Sequence, residues 1–144
     1  MAERYLRLFT IKEGQYAEGA PLIIAAGALL QDSQSNRLLA QLKFKNIGSR
    51  TISAVKVQLI PTDSFGGPAG APFEFQFLDL SAQRGDFFAQ KTPINIPNSN
   101  ARAFDVFVKE VAFANGPAWI AADAPWEQIP AQVPLEQAYT DNLL

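Results

Sequence analysis

Apolar and polar residues alternate with period two along most of this chain, and the alternating runs are bounded by glycine, proline and asparagine. That is the pattern of half-buried β-strands separated by turns. Tyr5 to Ile11 predicts a first strand and Gly14 to Pro21 a loop. Leu22 to Gln31 is apolar almost throughout and taken alone fits either a buried strand or a short helix; its neighbour decides. In Leu38 to Asn46, Ala40, Leu42 and Phe44 share one side while Gln41, Lys43 and Lys45 share the other. The polar link Asp32-Ser-Gln-Ser-Asn36 between the two runs predicts a hairpin.

Thr51 to Ile60 follows, with Val55, Val57 and Leu59 inward and Lys56 and Gln58 outward, and then a long loop from Pro61 to Pro72. Phe73, Phe75 and Phe77 alternate with Glu74 and Gln76, so one strand lays its phenylalanines on one face. Thr92 to Ile96, between Pro93 and Pro97, reads as an edge segment, since proline is tolerated in sheets mainly at edges. Phe104, Val106 and Val108 share a face and Val111 and Phe113 continue on the opposite phase. A slip of this kind at Lys109-Glu110 predicts a β-bulge. Asn115-Gly116 predicts a tight turn, with Trp119-Ile120 opening a short return strand. The expected core is Leu42, Phe44, Val55, Val57, Phe75, Phe77, Phe104 and Val106.

Seven or eight short strands and no long helix predict an all-β, antiparallel β-sandwich over residues 1–120. Residues 121–144 form a proline-punctuated tail (Pro125, Pro130, Pro134) expected to pack on the sandwich through Trp126 or to lead into another domain.

The string Lys45-Asn46-Ile-Gly-Ser-Arg-Thr-Ile52-Ser-Ala-Val55-Lys-Val57, followed by Asp63-Ser-Phe-Gly66, resembles the FxLYD-type immunoglobulin-like domains of bacterial proteins. The shared pattern is an asparagine turn, a strand with alternating valines and an Asp-x-x-Gly loop. Phe75-Gln-Phe-Leu-Asp79-Leu echoes the naming motif without its tyrosine. The chain as a whole is similar to uncharacterised bacterial proteins in which such a domain precedes a cysteine-rich zinc ribbon; no ribbon is present in this sequence. The resemblance implies an immunoglobulin-like sandwich acting as a binding or structural module.

Composition narrows the chemistry. The 144 residues include no cysteine and no histidine. The commonest nucleophilic thiol, general base and transition-metal ligand are therefore missing from the chain's own repertoire, and neither enzymatic activity nor a cofactor is expected. Twelve basic against fourteen acidic residues, a net charge of −2, give no electrostatic footprint for nucleic acid or an anionic membrane. Pro21 to Leu30, the most apolar stretch, is about half the length of a membrane span. The start, Met1-Ala-Glu-Arg-Tyr, lacks a secretory h-region, so a cytoplasmic location is expected.

Four residues stand as candidate ligand or partner contacts: Asp63, Phe65, Trp119 and Trp126. Asp63 fits an oxygen ligand for a hard cation, but fits better a turn capped by its own side chain, with Gly66 supplying a positive φ. Asp32-Ser-Gln-Ser-Asn36 lacks the glycine and closing glutamate of a calcium loop. Arg102 is placed to pair with Asp79 or Asp86 across the loops. Trp119 and Trp126, flanked by alanine and proline, suit either a stacking platform for sugar or a cover over the open end of the sandwich. The expected function is non-catalytic protein interaction with an unidentified protein partner; the alternative is carbohydrate binding through Trp119 and Trp126.

Overall fold

The computed structural model describes residues 4–11, 14–17, 19–121 and 127–128. Within them the chain forms β1 (Tyr5–Ile11), β2 (Gln15–Tyr16), β3 (Leu22–Asp32), β4 (Leu38–Asn46), β5 (Ile52–Thr62), β6 (Phe73–Phe77), β7 (Phe87–Phe88), β8 (Ile94–Ile96), β9 (Ala103–Phe113), β10 (Trp119–Ile120) and β11 (Glu127–Gln128). Seven of these strands have three residues or more and four have only two, which is where the expected seven or eight strands become eleven. Among the described residues there is no helix, hence none long and apolar enough to cross a membrane.

The strands make two antiparallel sheets. In the first, β3 and β4 are the central hairpin; β1 and β2 follow one another along the free side of β3, and β7 and β8 along the free side of β4. β11 adds outside β2, with Glu127 opposite Tyr16. The second sheet has the order β10-β9-β5-β6. The chain passes from the first sheet to the second at β4–β5, returns at β6–β7 and crosses again at β8–β9.

The core lies between the sheets, built from the inward phase of each strand: Leu22, Ile24, Leu42 and Phe44 from one side, Val55, Val57, Leu59, Phe77, Phe104, Val106 and Val108 from the other. Aromatic rings bridge the layers edge to face, Phe44 against Phe77 at 5.6 Å and Phe9 against Phe104 at 5.4 Å, a geometry favoured by the ring quadrupoles. The predicted bulge is present. Lys56 pairs with Glu110 while Val57 pairs with Val108, leaving Lys109 as the extra residue. The inward phase of β9 therefore passes from Phe104, Val106 and Val108 to Val111.

Two expected placements change. Phe75 is half-buried rather than buried, although it packs against the core and contacts Phe77 edge to face at 4.9 Å. The reason is position: β6 is the last strand of its sheet, so its rings have neighbours on one flank only. Gln41, on the outward phase of β4, is buried at 4% exposure. Its Nε2 donates to the Gln90 carbonyl at 2.8 Å, at the break between β7 and β8 where the backbone ladder is interrupted. A side-chain amide takes the place of a missing main-chain donor there.

Candidate interaction surfaces

Beyond Thr62 the chain makes a short turn that its own aspartate holds in shape. Asp63 Oδ1 accepts hydrogen bonds from the backbone N–H groups of Phe65 and Gly67, both at 2.9 Å. The Asp63 N–H donates to the Gly67 carbonyl and the Gly66 N–H to the Asp63 carbonyl. Gly66 has φ +80°, a left-handed conformation costly for any residue with a Cβ. The Ala69 N–H then donates to the Pro61 carbonyl at 3.0 Å, anchoring the returning arm. This is the capping arrangement expected from Asp63 and Gly66. Its consequence is Phe65, which stands at the tip with 96% of its surface exposed.

The β3–β4 turn lies at the same end of the sandwich, beside the start of β4. Asp32 accepts from Arg4 (Nη2 at 3.1 Å, Nε at 3.3 Å), from the Gln34 N–H at 2.9 Å and from Ser35 Oγ at 3.0 Å. The Arg4 hydrogen bond first, and then the Gln34 N–H, hold its carboxyl down at about 2, against an ordinary 3.8. Gln34 and Ser35 donate from within the turn and Arg4 from just before β1, so the carboxylate locks the turn and ties it to the start of β1. Among the described residues no three carboxylates converge as metal ligands would.

Trp119 lies in β10 opposite Val111, half-buried and packed on the core. Its ring is engaged by the protein rather than offered flat to solvent. Its neighbour Ile120 is exposed. Trp126, and with it the expected docking of the tail through that ring, lies outside the described residues. Arg102 does not reach Asp79 or Asp86. Its Nη1 donates to the carbonyls of Ser99 and Ala101, and its N–H to Thr62 at the end of β5. Asp86 sits beside Asn46, at the opposite end of the sandwich.

The outward face of the second sheet is shallow. Lys56 Nζ lies 3.7 Å from Glu110 Oε1, flanked by Ala54, Gln76, Leu78 and Ala112 around a depression of about 200 Å³. That is smaller than the pockets that enclose small-molecule ligands. The unpaired flank of β6 borders this face. Among the described residues no strand pairs with β6 on the side away from β5. Sequence reading placed the phenylalanines of β6 on one face but did not identify the strand as a free edge; the available signal was Pro72, immediately before it, where the backbone has no N–H to donate.

No family model, curated protein or solved structure matches this chain.

Proposed function

We propose that this domain is a non-catalytic interaction module, an immunoglobulin-like sandwich that offers an end loop to a protein partner. Strand order supports the immunoglobulin-like part. With β3, β4, β5, β6, β7/β8, β9 and β10 lettered A, B, C, C′, E, F and G, the sheets read A-B-E and C′-C-F-G. That is the immunoglobulin partition without strand D, and β1 and β2 precede it. Fold alone assigns no activity. The absence of histidine and cysteine from the sequence supports a binding role over catalysis.

The observation that carries the interaction reading is Phe65. A phenylalanine exposed at 96% costs hydration free energy in the free protein. The Asp63 bonds hold it on a fixed turn, so little ordering entropy is lost when it is buried in a partner. Aromatic side chains, phenylalanine among them, are enriched at protein interfaces relative to the rest of the surface. Quantitative mass spectrometry of proteins retained from native lysate by immobilised wild-type chain and by a Phe65→Ala variant tests the reading. The expected result is a set of proteins retained by the first and lost with the second, at an unchanged melting temperature. Identical retention profiles, including no retention by either, would overturn it.

A further inference from the structure

We propose that this chain self-associates through β6, two copies pairing antiparallel about a two-fold axis at Phe75 so that their four-stranded sheets join edge to edge. The surface is distinct from the Phe65 loop, so self-association and partner binding stand or fall separately.

An exposed edge is a template for another strand, and proteins usually blunt it with bulges, prolines, lysines or brevity. The other edges of this sandwich carry such devices. β1 has a register shift between Arg7 and Phe9 and carries the Arg7 charge. β7 and β8 are parted by a break containing Ala89 at φ +78° and Pro93. β10 and β11 have two residues each, and the flank of β9 that β10 leaves open begins at the Lys109 bulge. β6 by contrast has five residues in unbroken register with β5 and no proline or basic side chain among them, Pro72 standing just outside the strand.

Its sequence also fits a second copy of itself. A two-fold interface requires that if residue i faces j, then j faces i. Phe73-Glu-Phe-Gln-Phe77 reads nearly the same in both directions. Antiparallel pairing centred on Phe75 sets Phe73 opposite Phe77 of the second copy, Phe75 opposite Phe75, and Glu74 opposite Gln76. No two like charges meet, and the Gln76 amide can donate to the Glu74 carboxylate of the second copy. Along the same row Gln76 already pairs with Lys56, which pairs with Glu110. Each Glu74 would therefore stand two strands, about 10 Å, from a lysine of the other copy. Phe73 and Phe75, half-buried at the open flank, would gain the neighbours that Phe77 already has. Leu78 and Pro72, both exposed, face each other across copies in this register and close the two ends.

Sedimentation velocity on the purified 144-residue chain over a range of concentrations tests this, with charge variants at the exposed position 76. Gln76→Glu places a carboxylate opposite Glu74 twice per dimer, and Gln76→Lys places an ammonium there. Two cross-strand pairs should move the dimerisation constant about two- to thirtyfold, weaker for Glu and tighter for Lys, with the difference shrinking at high salt. The exchange variant Glu74→Gln with Gln76→Glu restores complementarity and should dimerise like the parent. A wild-type chain that stays monomeric at every concentration would overturn the proposal. So would Glu and Lys variants that shift association in the same direction or leave it unchanged.

Discussion

The Arg50 guanidinium lies 3.7 Å from the centroid of the Phe113 ring, and its Nη1 also donates to the carbonyls of Pro117 at 3.1 Å and Asn115 at 3.4 Å. One side chain thus ties the β4–β5 connection to the end of β9 and to the turn that follows, where Gly116 holds φ +89°. Stacking on a ring while donating within its own plane needs a flat cation, and an ammonium cannot do both. Arg50→Ala and Arg50→Lys should therefore both lower stability in urea unfolding, by about 1 kcal/mol. A lysine variant as stable as the parent would show that charge alone is what matters at this position.

Phe77 and Phe75 stand two residues apart on one strand but should respond differently to truncation. Phe77 is 2% exposed and contacts both Phe44 and Phe75. Phe77→Ala should cost about 3–5 kcal/mol, enough to unfold a domain of marginal stability. Phe75→Ala, at the half-open edge, should cost less than half of that. Equal losses in chemical denaturation would mean that the flank of β6 is covered in solution at the protein concentration used, and the comparison should be repeated at high dilution.

Asn46 is fully buried, and its amide is used at both ends. Nδ2 donates to the carbonyls of Arg50 and Ala82 at 3.0 and 2.9 Å, and Oδ1 accepts from the Gly48 N–H at 2.9 Å. Asn46→Asp exchanges the donor for an oxygen aimed at two carbonyls, and burying that charge without a partner is costly. The variant should be less stable at neutral pH than Asn46→Ala. It should regain part of the loss on acidification, as the carboxyl takes up a proton and becomes a donor. Circular-dichroism melts of both variants across pH give the answer; an aspartate variant with no acid recovery would rule out this account.

Asp32 gives the fold a definite acid dependence. Hydrogen bonding to Arg4, and then to the Gln34 N–H, lowers its folded-state pKa to about 2 from an ordinary 3.8. A group whose pKa is depressed by folding stabilises the folded state above its unfolded value, and that contribution fades as the pH falls through the folded one. Wild type and Asp32→Asn should therefore differ most above pH 3.8 and converge towards pH 2. Urea midpoints measured across that interval check it. A gap that stays constant with pH would place the effect of the substitution in turn geometry instead of ionisation.

How far the sequence went can be seen strand by strand. Alternation places the inward faces of β4 and β5 correctly, because a residue on a pleated strand exposes or buries its side chain according to parity alone. The phase slip at Lys109 was legible for the same reason: one extra residue inverts parity, and the apolar positions record the inversion. The Asp63 turn was legible because its hydrogen bonds are local, between residues at most four apart. Gln41 was not. Its parity is outward, and only the break between β7 and β8, some fifty residues away, turns a carbonyl towards it.

The sequence by itself determined the long strands, their inward faces, the bulge and the turn capped by Asp63, all of which depend on neighbours a few residues apart. Tertiary structure decided which strand ends a sheet and which lies inside it. β6 and β5 carry equally regular alternation, yet β5 is flanked on both sides and β6 on one. Strand order depends on where the chain crosses between sheets, and the period-two signal of a single strand contains no information about its neighbours. The half-burial of Phe75 and the open flank of β6 both follow from that order. The β6 edge was therefore set by the arrangement of strands and not by any strand alone, whereas Phe65 stands where its local turn puts it.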